Sequence, residues 1–115
     1  MSTTDIVLEL SRIGRELDDL YCEIARLDHA CVIARSEYRK AYARSFLGSE
    51  GSMDVRKQSA VLAVEPELLE AEIADQVHRA ARERIRVLRD RLEIGRSISA
   101  ARRAEFAAEP VGQAT

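Results

Sequence analysis

Four cations and two tyrosines crowd one short stretch of the chain. Arg35, Arg39, Lys40 and Arg44 are interleaved with Tyr38 and Tyr42. Arg35 and Arg39 are four residues apart, as are Lys40 and Arg44, so each pair shares a face if the stretch is helical. Cations beside aromatic rings suit a sequence-tolerant single-strand binder, which neutralises phosphates and stacks bases. The same spacing fits a plainer role, with Tyr38 in a core and the cations balancing the acids between Glu65 and Asp75. A second ridge, Arg79, Arg82, Arg86 and Arg89, recurs at threes and fours among Arg84, Arg91 and Arg96. It would attract phosphate if uncompensated, or pair with Asp18, Asp19 and Glu23 of a neighbouring subunit. Sixteen of the 18 basic residues are arginine, whose planar fork suits phosphates and carboxylates alike.

Other chemistry is poorly served. His29 and His78 are isolated, and HExxH, CxxC and GxSxG patterns are absent. Gly48, Gly51 and Ser52 do not form a phosphate loop. Asp18-Asp19 and Glu70/Glu72 read as solvated helix faces. Cys22 and Cys31 lie nine residues apart, too far to bridge along one helix at ~1.5 Å rise per residue. The chain therefore reads as non-enzymatic, with no metal site and no cofactor. No apolar run approaches the ~20 residues of a membrane span. The acidic opening MSTTDIVLEL lacks a signal-peptide pattern. The expected compartment is the cytoplasm, that of the host if the gene is phage-borne.

The element that must position the first cluster is a long helix. Ile6, Leu10, Ile13, Leu17, Leu20, Ile24, Leu27, Cys31, Ala34, Tyr38 and Ala41 alternate at fours and threes, a heptad seam five heptads long. Such a seam packs along another helix. The spacing predicts a first helix over about 4–47, capped by Thr4, and the glycine-rich segment 48–52 ends it. Residues 53–64 are ambiguous, and the Val content of SAVLAV favours a short extended piece. Pro66 suits the first position of a second helix over about 66–108. Its apolar side reads as Leu69, Ile73, Val77, Ala81, Ile85, Leu88, Leu92, Gly95 and then Ile98 or Ser99. The expected fold is mostly all-α: a long antiparallel helical hairpin with a short extended connection, one domain over 1–109, and a disordered tail at 110–115. Two helices alone leave apolar surface uncovered, so the seam is expected to support a homo-oligomer.

Charge supports the antiparallel order. Net charge runs −4 over 1–28, +3 over 29–47, −5 over 48–77 and +6 over 78–103, within a chain total of −2. Folding back at the glycines sets opposite blocks side by side, whereas a parallel arrangement would juxtapose like charges.

The order of several short motifs adds a resemblance. Ala34-Arg35-x-Glu37-Tyr38 is followed by Ser52-Met53-Asp54 and the basic pair Arg56-Lys57. Then come Glu67-Leu68-Leu69-x-x-Glu72 and Arg103-Ala104-Glu105-Phe106. Over roughly residues 24–109 this resembles the UvsY family of phage recombination mediators, and also small uncharacterised helical proteins of tailed phages. The resemblance implies a ring-forming, mostly helical, non-enzymatic protein that binds single-stranded DNA. It implies assistance in loading a RecA-type recombinase onto strands covered by a single-strand-binding protein. Arg35 matches the family's DNA-contacting basic end of the first helix. The chain departs at Ile33, where the family pattern has a second basic residue; Arg39, Lys40 and Arg44 offer substitutes. The alternative is a helical protein–protein interaction module without a nucleic-acid role: a phage adaptor, an assembly chaperone or an inhibitor of a host protein.

Overall fold

The computed structural model describes residues 2–108, and the tail expected at 110–115 lies outside the described residues. Three helices account for nearly all of them: α1 (Thr3–Gly48), α2 (Met53–Ala63) and α3 (Glu65–Ala108). There is no strand among the described residues. No described helix is long and apolar enough to cross a membrane.

Helix α1 starts one residue earlier than its spacing suggested, because the cap is Ser2 rather than Thr4. Ser2 Oγ accepts from the Asp5 backbone N–H, and the Asp5 carboxylate accepts from the Ser2 N–H. This reciprocal box satisfies two donors at the positive end of the helix. At the other end, Ser49 Oγ donates to Ser45 O, and the Arg56 guanidinium donates through Nε and Nη2 to Phe46 O. Both carbonyls belong to the last turn, which has no intrahelical donors of its own.

The expected extended connection is instead helix α2. Gly51, at φ 111°, makes the reversal that lets Ser52 cap the new helix, accepting from the Val55 N–H. Asp54 in the first turn suits the helix dipole. The β-branched residues Val55, Val61 and Val64 are too dispersed among Ala, Lys and Gln to outweigh the cap. The boundary with α3 falls at Val64, whose N–H still reaches Ala60 O. Pro66 accounts for the break. It has no N–H to donate to Leu62 O, and it crowds the backbone before it.

The helices contribute to two compact units: residues up to Tyr21 with those from Glu83 onward, and residues Cys22–Arg82. In the first unit Ile13, Leu17 and Leu88 form the core, with Leu20, Ile85 and Leu92 packed against it. Pairing falls along α3 as it rises along α1: Leu10 meets Gly95 and Glu16 meets Arg84, so the two segments are antiparallel. In the second unit Cys31 Sγ donates to Ala74 O at 3.0 Å, and His78 Nε2 lies 3.8 Å from Asp28 Oδ1. These two pairs also run in opposite senses.

All eleven seam positions of α1 are buried or half-buried, Ile6, Ile13, Leu17 and Cys31 most completely. The face of α3 that packs differs from the one read from its large apolar residues. Leu69, Ile73 and Val77 are exposed. The covered row is instead Val64, Glu67, Ala71, Ala74, His78, Ala81, Ile85, Leu88, Leu92, Gly95, Ser99 and Arg102. It alternates threes and fours throughout. Steps of four advance about 40° beyond a full turn, so a row of repeated fours drifts off the packed side. Among the described residues, Glu67 Oε2 on the covered row is buried without a hydrogen-bond partner.

The two mid-helix glycines of the first unit differ in surroundings. A Cβ on Gly14 would meet nothing, whereas one on Gly95 would collide with Leu10 Cδ2. Gly14→Ala is expected to stabilise the protein by about 1 kcal/mol, the ordinary helix-propensity gain. Gly95→Ala is expected to gain less, because Leu10 must change rotamer, and to recover the full gain in a Leu10→Ala background. Chemical denaturation of the four variants checks both.

Candidate nucleic-acid interface

The cations at the end of α1 divide into engaged and unengaged groups. Arg35 Nη2 hydrogen-bonds and pairs with Asp75 Oδ1 across the second unit. Asp75 also takes Arg79 Nε at 3.7 Å, so one carboxylate joins a member of each basic stripe. Lys40 lies 3.9 Å from Glu37 on its own helix. Arg39 and Arg44 are exposed and have no ion-pair partner among the described residues. Tyr38 is on the covered seam, as the plainer reading of that residue required.

Tyr42 belongs to a feature that the spacing of charges did not reveal. Its ring stacks on that of Phe46, with centroids 6.4 Å apart and planes 14° from parallel. The Arg56 guanidinium carbon lies 4.6 Å from the Phe46 centroid. Residues 39, 42 and 46 fall on one side of α1 by helical spacing. The second unit therefore carries a short platform of Tyr42, Phe46 and Arg56 flanked by Arg39, while Arg44, two residues from both Tyr42 and Phe46, falls on another side of α1. Stacked rings with guanidinium groups at their edge can hold unpaired bases and their phosphates. Phe46 and Arg56 were missed because ten residues and the Gly48–Ser52 break separate them in the chain. An Arg four residues beyond a helix cap is the only local hint.

The second stripe is divided between the two units. Arg79 and Arg82 fall in the second unit, Arg86 and Arg89 in the first. Arg86 is bound to Glu83 and Asp90 on its own helix. Arg82 and Arg89 are exposed and unpaired among the described residues. Arg84, not assigned to the stripe's phosphate-facing ridge, pairs across the first unit with both oxygens of Glu16. That hydrogen bonding, ahead of the charges of Arg84, Arg12 and Arg91, holds the Glu16 carboxyl below its ordinary value near 4.5. Arg86 does the same to Glu83, chiefly by hydrogen bonding. Among the described residues, no group of three or more His, Cys, Asp or Glu side chains is placed to hold a metal ion.

No protein-family model matches the chain, and no curated protein or solved structure matches it.

The Glu16–Arg84 pair has a pH signature. A carboxyl depressed on folding contributes stability that is complete above its unfolded value and lost as pH falls through the lower folded value. The wild-type urea midpoint is expected to fall on acidification below about pH 4.5, and Glu16→Gln to flatten that part of the profile. The pair is exposed, so the effect is expected to be small, and larger in low salt.

Proposed function

We infer that this chain is a non-enzymatic helical hairpin that binds single-stranded DNA on the platform at the end of α1. We further infer that it serves as a phage recombination mediator, assisting a RecA-type recombinase against a single-strand-binding protein. The observation that carries the binding reading is Arg39, without a carboxylate partner among the described residues, on the same side of α1 as the Tyr42–Phe46–Arg56 stack; Arg44, likewise unpaired, supplies a further phosphate contact from another side of the helix. The mediator role rests on the motif order shared with the UvsY family. Arg35, Lys40, Arg79 and Arg86 support the binding surface less, since each is already engaged by an acid.

A second reading has its own support. Leu69, Ile73 and Val77 are exposed on α3, and four of the eight stripe cations have carboxylate partners within the chain. These favour a helical interaction module: an adaptor, an assembly chaperone or an inhibitor of a host protein. Salt separates the two, because strand binding releases counterions and apolar packing does not.

The test is fluorescence anisotropy with labelled single- and double-stranded oligonucleotides across a salt series. The wild type is expected to prefer the single strand. Arg39→Gln/Arg44→Gln is expected to reduce the slope of log K against log salt by about 1.4, two phosphate contacts at about 0.7 each. Tyr42→Ala is expected to cost about 1–3 kcal/mol of binding, one stacked base. Unchanged affinity and slope in these variants, with helicity retained, would remove the platform from the interface.

A further inference from the structure

The residues that sequence spacing had placed in the core, Leu69 and Ile73, instead begin an outward row of their own. Leu69, Ile73, Gln76 and Ala80 are spaced four, three and four apart on α3, the heptad alternation again, on a face turned away from the covered row. Leu69 is 55% and Ile73 49% exposed, and Val77 at 45% borders them. The row lies in a shallow depression of about 750 Å³ whose lining includes Glu72 and Arg79. A second heptad row on one helix is a seam for a further helix.

The charges beside this row identify that helix. Acids dominate its N-terminal half, at Glu65, Glu70 and Glu72, and Arg79 and Arg82 follow in its C-terminal half. A parallel copy would set acids against acids. An antiparallel copy sets each half against its opposite. With Ile73 facing Gln76 and Leu69 facing Ala80, the flanking positions that meet are Glu72 of one chain and Arg79 of the other. The two-fold symmetry makes that pair twice, which is the self-complementarity an isologous interface requires. Glu72 has no ion-pair partner among the described residues. Arg79 holds only the 3.7 Å contact to Asp75 and keeps 71% of its side chain exposed, so it can reach a second carboxylate.

We propose that a second copy of this chain docks antiparallel on the Leu69–Ile73–Gln76–Ala80 row, closed by reciprocal Glu72–Arg79 pairs. This places dimerisation on the outer face of α3 instead of the α1 seam, which is covered within the chain. It stands independently of nucleic-acid binding. Two heptads make a contact at the small end of specific interfaces, so the dimer is concentration-dependent.

Sedimentation equilibrium of the full chain without nucleic acid, up to about 1 mM, tests it. The wild type is expected to be a dimer, and Ile73→Glu a monomer with unchanged far-UV circular dichroism. Glu72→Arg and Arg79→Glu are each expected to weaken the dimer roughly tenfold, and the double variant to restore it. A wild type that stays monomeric overturns the proposal. So does a dimer indifferent to Ile73→Glu, or a double variant no better than the singles.

Discussion

Everything in this chain hangs on two helical rows keeping a period of 3.5 residues. On α1 the row is built from Ile and Leu, on much of α3 from Ala, His, Gly and Ser. Where the rows meet, the flanking positions that face each other are of like kind, as antiparallel packing requires. Glu16 and Arg84 each precede a seam residue, Leu17 and Ile85. Arg35 and Asp75 each follow one, Ala34 and Ala74. A slip of one residue on either helix would break these pairs. It would also bring exposed charges such as Asp18 and Arg89 onto the seam. The register is therefore set by apolar burial and policed by charge, each exposed pair weak by itself.

The two units draw on different forces. Burying Leu88, 1% exposed, or Ile13 and Leu17 contributes about 1.5–3 kcal/mol each. Ala71, Ala74 and Ala81 offer one methyl apiece, about 0.8 kcal/mol at best. Small residues do permit close approach, which is what brings Cys31 Sγ to within hydrogen-bonding distance of Ala74 O. The second unit accordingly leans on polar contacts: Cys31 to Ala74, Arg35 to Asp75, and Arg56 to Phe46. It also leaves Glu67 Oε2 without a partner, a cost where burial has least to spare.

How legible this was in the sequence follows from the same contrast. The α1 row was readable because its residues are large and apolar. The α3 row was readable only from Ala81 on, where Ile85, Leu88 and Leu92 mark it. Upstream, hydropathy pointed to Leu69, Ile73 and Val77, while the packed residues were alanines and a histidine that carry almost no hydropathic signal. Helix α2 was hidden by its valines, although Ser52 and Asp54 announced a cap. For the candidate site, spacing located the cations but not their partners. That Asp75 serves both Arg35 and Arg79 depends on interhelical register. That Arg56 covers Phe46 depends on the reversal at Gly51.

The overall charge of −2 looks unfavourable for a nucleic-acid ligand, yet it is the wrong quantity to weigh. At physiological ionic strength charges beyond about 8 Å are largely screened. Arg39 precedes Tyr42 by three residues, about 4.5 Å of helical rise on the same side of α1, so its charge falls within one screening length of that ring. The nearest acid on that helix, Glu37, lies beside Lys40. What a phosphate meets at the end of α1 is thus set by a few neighbouring side chains. The acids clustered early in α1 weigh little there, whereas those early in α3 lie alongside this stretch in the antiparallel register and engage Arg35 through Asp75. By the same reasoning Arg35, Arg79 and Arg86 are poor phosphate ligands despite their number, because each has a carboxylate at close range that a ligand would have to displace. Counting arginines overstates the basic surface, and net charge understates it.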